Sequence, residues 1–366
     1  MGEKAVKRLF IVILTCFSLH SLAEEVSGLY SGLVPVADQT AESRQIGIRD
    51  ALEQVLIKLT GNSNIIWASG LQSFLANPDR YVSSIGFSHL PDVGLGLESD
   101  VELGLGLAVG FARQAIDQII RQAQLPILPS NRPRLLVWII RDDTDKGRGF
   151  INEHSPSGID EGSSALDRFD QAMQIRGIPY VLPAYDLKDQ LSLSVNEAWS
   201  LNADLIDNAS KRYETDGWLA LRFYVTSSGE VRGTWLSQIG GSRKLRNFHA
   251  ASGQPFMSEA VDELVDNLAQ SFTYIPQVNP DDLVVQVDGV VSFDDYTAVL
   301  AQFSKLELVE SLKVTAVDGP EMTLSVTVEG GMDLLQSALV RSGKFQNESL
   351  QDSLYAGKLR FNWVGK

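Results

Sequence analysis

Apolar and polar positions alternate along this chain in two rhythms. Residues 29–36 read as a strand. After Thr40, placed as a helix N-cap, Ile48, Leu52, Val55, Leu56 and Leu59 recur on one helix face, and Gly61-Asn62 supplies the stop. A short helix over 70–76 ends at Pro78, 81–87 has strand character, and the glycine-containing stretch 92–98 reads as a turn. Then the period changes to two. Val101, Leu103, Leu105, Leu107, Val109 and Phe111 take every second position, with Gly104, Gly106, Ala108 and Gly110 between them. This predicts a strand with one large apolar face and one very small face, against which a helix would pack closely. Helical spacing resumes at Ala115, Ile116, Ile119, Ile120 and Ala123, up to Pro126.

The stretch 126–133 (PILPSNRP) reads as a linker or domain entry, and 135–140 (LLVWII) as a strand buried on both faces. A long polar loop over 142–164 follows, then a helix at 167–175, a turn at Gly177, a short strand at 179–183 and a helix at 203–213. Residues 218–226 and 230–239 form a hairpin around Ser228-Gly229. Val261, Leu264, Val265, Leu268 and Phe272 mark a closing amphipathic helix, and 276–280 a second linker. Beyond it come a strand at 283–290, a helix opened by Ser292 and Asp295, strands at 308–317 and 322–328, and a helix at 333–342. The last strand lies at 359–363 or from 345 onward.

The expected class is therefore α/β and α+β: small mixed-sheet α/β modules followed by a ferredoxin-like β-α-β-β-α-β module. The expected divisions are a signal peptide at 1–23, an N-terminal α+β domain at 24–128, a central α/β domain at 129–275 and the ferredoxin-like domain at 281–366. At 366 residues, with 44% hydrophobic positions, the chain can build its cores without metal or disulfide staples.

The N-terminus changes the picture most. Lys4, Lys7 and Arg8 precede an apolar run over 9–19 that is too short to span a bilayer, and Ser21-Leu22-Ala23 follows. This predicts cleavage between Ala23 and Glu24, export to the periplasm, and no transmembrane segment in the mature chain. An uncleaved anchor, with inner- or outer-membrane association, is the alternative. The single cysteine, Cys16, lies in the apolar run after Thr15, a poor context for lipidation. Without it the mature chain has neither disulfide nor thiol chemistry. Cleavage would take the formal charge from −15 to −17, since Glu3 leaves with the three cations. So acidic a chain disfavours nucleic acid and anionic lipid as partners. The short basic cluster 243–246 (RKLR) reads as a solvated loop.

Catalytic signatures are sparse. Two of the three glycines Gly104, Gly106 and Gly110 fall inside a strand, and their spacing is one residue too long for a dinucleotide-binding turn. There is no Gly-x-Ser-x-Gly elbow, no Ser-x-x-Lys and no phosphate-binding P-loop. His89, His154 and His249 are scattered, so neither a metal site nor a cofactor is expected. Asp294-Asp295 opens a helix, where the dipole accounts for acids. Trp138, Trp218 and Trp235 fall in strands and read as packing residues. The weak catalytic candidates are Asp142 and Asp143, with Arg141 and Arg148 as partners. Together with Asp145 they gather where a buried strand gives way to loop, the end at which open α/β sheets collect ligands. The spacing does not fit an EF-hand, and a solvated acidic loop is the plainer reading.

Four stretches together resemble a known family: 34–62 (VPVADQTAESRQIGIRDALEQVLIKLTGN), Arg132-Pro133 with LLVWIIRDD, 176–187 (RGIPYVLPAYDL) and 209–224 (ASKRYETDGWLALRFY). They are similar to the exported proteobacterial family known as domain of unknown function 2066, over most of the chain to about residue 272. The resemblance implies a Gram-negative envelope protein and transfers no catalytic residue. The sequence therefore points to a non-enzymatic interaction module with an envelope protein as partner. A periplasmic hydrolase or ligand-binding sensor using the acidic stretch 142–145 is the alternative.

Overall fold

The computed structural model describes residues 28–68, 70–90, 104–144, 147–152, 161–251, 256–277, 280–347 and 358–365. The expected signal peptide, its cleavage at Ala23–Glu24, Cys16, the turn at 92–98, Asp145 and His154 lie outside them. The class is as expected: helices and mixed sheets, arranged as three separate sheets.

The first sheet takes β1 (Ser31–Pro35), β2 (Val82–His89) and β3 (Leu105–Phe111) in the order β1-β3-β2, all antiparallel. Three helices accompany it: α1 (Ala41–Thr60), α2 (Gln72–Leu75) and α3 (Arg113–Gln122). The Thr40 hydroxyl accepts the Ser43 N–H. Gly61, at φ +67°, closes α1 in the left-handed conformation that glycine tolerates. Leu107, Val109 and Phe111 are buried with Ile48, Leu52, Val55 and Leu56 of α1, as their period predicts. The close helix contact differs from expectation. Helix α1 approaches the large face, where a Cβ on Gly47 would stand 2.8 Å from the Leu107 side chain. On the small face Gly106 abuts Leu33 and Leu90, and Gly110 abuts Ser84. The glycines there serve neighbouring strands and the following turn, because the bulky row already provides the apolar area a helix needs to bury.

The central sheet contains β4 (Leu135–Asp143), β5 (Gly147–Phe150), β6 (Tyr180–Val181), β7 (Gly217–Val225), β8 (Val231–Ile239) and β9 (Ser242–Ala250). Its order is β5-β4-β7-β8-β9, with β6 also pairing β4, and β4 runs parallel to β7. Strand β4 is buried on both faces. Leu135, Val137 and Ile139 pack beneath α4 (Glu161–Arg176) and α8 (Phe256–Ala269). Leu136, Trp138 and Ile140 face the other way. There α5 (Leu187–Ser192), α6 (Val195–Trp199) and α7 (Ala203–Ser210) follow one another, with Leu193, Ala198, Ile206 and Ala209 in that core. Two sequence expectations change here. Strand β4 continues through Asp142 and Asp143 and turns back into β5, so the polar loop opens as a hairpin. The cluster 243–246 is an edge strand, not a loop: each of its residues pairs with β8.

The third sheet is built from β10 (Asp281–Asp288), α9 (Phe293–Lys305), β11 (Val309–Asp318), β12 (Glu321–Val328), α10 (Gly331–Arg341), β13 (Phe345–Asn347) and β14 (Lys358–Trp363). The Ser292–Asp295 capping box forms as predicted. The first split β-α-β is present, because β12 lies between β10 and β11 and is antiparallel to both. The second half departs from a strict ferredoxin-like module. Strand β14 inserts beside β10 and runs parallel to it, and displaces β13 to the edge. Both candidate last strands therefore exist, in one hairpin.

The stretch 126–133 is a joint rather than a free linker. Ile127 and Tyr274 exchange backbone hydrogen bonds of 2.7 and 3.1 Å, so the first expected linker pairs with the segment just ahead of the second. The Arg132 guanidinium, 3% exposed, donates to the carbonyls of Lys58, Pro129, Arg176 and Gly177. Arg176 is also buried and donates to the Gly61 carbonyl and to Asp262 and Asp266. On the far side Arg121 makes a bidentate pair with Glu329, Arg113 pairs with Glu307, and Asn131 donates to the Ala338 carbonyl. Arginines thus satisfy orphan carbonyls at the ends of α1 and α4, and two ion pairs and the Asn131 side chain tie this joint to the third sheet.

Lys58 sits in this joint and donates to the carbonyls of Gly28 and Ser31. Burial, and then the nearby charge of Arg132, push its ammonium down to about 8 from 10.5. Between those values the unfolded chain holds a proton that the folded chain has released. This group therefore makes stability rise with pH across that window, by up to about 3 kcal/mol. In urea melts from pH 8 to 10, Lys58→Met should flatten the rise. An unaltered slope in the variant would assign it to other groups.

Candidate ligand groove on the central sheet

Side chains alternate across a strand, so the acidic stretch divides. Asp142 follows Leu136, Trp138 and Ile140 onto the face covered by α6 and α7. Arg141 and Asp143 follow Val137 and Ile139 onto the opposite face, where they pair with each other at 2.7 Å. Asp142 and Asp143 therefore do not converge as an acid/base pair or as a common ligand set. Asp145 lies outside the described residues. Among the described residues no group of three or more histidine, cysteine or acidic side chains is placed to hold a metal ion.

The structure brings Asp142 to a different set of residues. It accepts a hydrogen bond of 2.8 Å from Arg148, its cross-strand partner on β5. The Arg148 guanidinium lies 4.7 Å from the centre of the Trp199 ring, at the end of α6, and reaches Asn196 at 3.4 Å. A second guanidinium, Arg222 of β7, lies 5.4 Å from the same ring and donates to the Trp199 carbonyl. Trp199 is thus held from the sheet by two arginines, one of them aimed by Asp142.

Beyond Trp199 the sheet face is left open and forms a groove of about 600 Å³. Register decides its floor. Arg222 stands opposite Thr234, and Thr234 opposite Asn247. One rung on, Tyr224 stands opposite Arg232, and Arg232 opposite His249. Thr234 donates its hydroxyl to the Asn247 side-chain oxygen at 2.8 Å. Glu230 is the one carboxylate among the described lining residues, and Arg232 engages it at 3.3 Å. Arg222 has no carboxylate partner among the described residues. Its contacts are the carbonyl and ring of Trp199. The groove is therefore locally cationic in a chain whose formal charge is −15.

Sequence reasoning reached Asp142 and Arg148 and named His249 only as a scattered histidine. It missed Trp199, Arg222 and Arg232. Arg222 had one visible signal: it is the lone charge in WLALRFY, at the end of an otherwise apolar strand. Both side chains of the Asp142–Arg148 pair are about a third exposed or more. Asp142→Asn should then cost no more than about 1 kcal/mol in a thermal melt while loosening Arg148 over Trp199. A larger loss would make the pair a structural one.

A model of a family described as a domain of unknown function (DUF8605) matches residues 23–129, which covers the first sheet and its helices. No curated protein matches the chain. Among solved structures, a crystal structure of an uncharacterised protein is similar at 12% identity. It covers 38% of this chain and 88% of its own, with a TM-score of 0.16. Among the described residues no helix is long and apolar enough to cross a membrane.

Proposed function

We propose that this is an exported cell-envelope protein that acts by binding a partner, without making or breaking bonds. Export rests on the basic and apolar segments of residues 1–23, with cleavage between Ala23 and Glu24 and the mature chain in the periplasm. The resemblance to the proteobacterial family 2066 supports a Gram-negative envelope. Binding rests on one observation above the rest: an open groove at the C-terminal end of β7, walled by Trp199 and carrying an arginine that has no carboxylate partner among the described residues. Such strand ends are where α/β sheets gather ligands. The alternative of a hydrolase centred on the acidic stretch is less well supported, since Asp142 is engaged by Arg148 and Asp143 faces away from it.

Cell fractionation with N-terminal sequencing tests export, and in-cell cross-linking of a tagged chain tests binding. The expected result is a periplasmic chain that begins at Glu24 and cross-links stoichiometrically to one envelope protein. A cytoplasmic chain starting at Met1, or a lone band after cross-linking, would contradict the proposal.

A further inference from the structure

We infer that the groove is an oxyanion site anchored by Arg222, and that its ligand is an extended acidic peptide segment. This rests on the binding reading above and names its chemistry.

The first argument is the donor count. A guanidinium carries five N–H donors in a planar fork. Arg222 gives one to the Trp199 carbonyl, and the Trp199 ring lies beside it. The remaining donors suit a bidentate carboxylate. Carboxylates are plentiful in this chain, at 46 against 31 basic residues, and they hold Arg148, Arg176 and Arg212. The half-buried Arg222 has none among the described residues. A partly buried cation of this kind is stabilised when an incoming anion completes its coordination.

The second argument is the sign of the surroundings. From Arg222 the groove runs past Thr234 and Asn247 to Arg232 and His249, and its one described carboxylate is taken by Arg232. An anion meets a complementary surface here and a repelling one over most of the acidic molecule.

The third argument is shape, which selects a peptide over a small anion. A free phosphate would occupy only the Arg222 end of a groove of about 600 Å³. The floor leads outward to β9, which ends the sheet and has no further strand beside it among the described residues. Of its cations only Arg243 shares the groove's face of the sheet, since Lys244 and Arg246 reach Asn267 and Glu263 of α8 on the other face. A peptide strand can add to such an edge by main-chain hydrogen bonds while its acidic side chains reach the groove.

The test is a titration of the purified chain with a labelled hexaglutamate peptide, at about 50 mM and 200 mM salt, with inorganic phosphate as competitor. The expected result is binding that weakens with salt. Arg222→Gln should weaken it at least tenfold, roughly the worth of a hydrogen bond to a charged group. Arg222→Lys should recover part of the loss, and Arg360→Gln on the third sheet should change nothing. Asn247→Asp is a second variant should Arg222→Gln fold poorly. It sets a carboxylate on the groove floor and should lower affinity comparably. Absence of peptide binding, wild-type affinity in both groove variants, or phosphate binding as tightly as the peptide would overturn the inference. If Arg222→Gln still cross-links to its partner in cells at the wild-type yield, the oxyanion site falls and the wider binding reading stands.

Discussion

Replacing Arg132 with methionine should cost about 4 kcal/mol or more of stability, one of the two largest effects expected in this protein. Four carbonyls lose their donor together: those of Lys58 at the end of α1, Arg176 and Gly177 at the end of α4, and Pro129. All lie around a side chain only 3% exposed, so water does not replace the lost bonds. Each unsatisfied buried acceptor costs about 1–3 kcal/mol, offset in part because Lys58 sheds a repulsive neighbour. Lysine should rescue little, since an ammonium cannot fork across carbonyls on two helix ends. Urea denaturation measures the loss, and a change below about 1 kcal/mol would show that the joint is not held this way.

Trp138→Ala should cost about 3–5 kcal/mol, in the range of large aromatic truncations in a core. Trp138 is fully buried in β4. Its indole N–H donates to the Ser210 hydroxyl at 3.1 Å, and its ring meets Phe150 at 5.7 Å and Tyr185 at 5.9 Å. The consequence reaches the groove. Phe150 belongs to β5, the strand that presents Arg148 to Trp199, so loss of this packing loosens one wall of the site. Trp138→Phe, which keeps a ring in place, should cost less than about 2 kcal/mol by thermal melt. If alanine is tolerated as well as phenylalanine, the aromatic cluster does not support β5.

Much of this architecture is legible in the sequence wherever local chemistry decides it. Thr40 caps α1, Gly61 ends it, Ser292 with Asp295 opens α9, and LLVWII forms a strand buried on both faces, because each depends on neighbours a few residues away. The less legible features depend on distant contacts. Strand β9 is rich in charge because it lies at an exposed edge of the sheet, and the same charges imitate a loop in the sequence. A proline-rich stretch reads as a linker, since nothing in PILPSNRP reveals that its arginine reaches carbonyls 44 and 74 residues away. The ferredoxin-like expectation follows element order, and order alone does not show that β14 would insert beside β10 in the parallel sense. At the candidate site the sequence pointed to the end of β4, the strand that pairs with the one carrying Arg222. It placed Asp142 and Asp143 together in a loop, whereas an extended β4 sets them on opposite faces. Trp199, Arg222 and Arg232 come from three other elements and meet only in the folded sheet.

The central claim is that this chain meets its partner through the groove on the central sheet. Site-specific photo-cross-linking in cells tests it most directly, with a photoreactive residue placed in turn at Tyr224 on the groove and at Leu191 on α5, both exposed positions. The account predicts a discrete adduct from position 224, weakened by Arg222→Gln, and none from position 191. An adduct from position 191 with none from position 224 would contradict it.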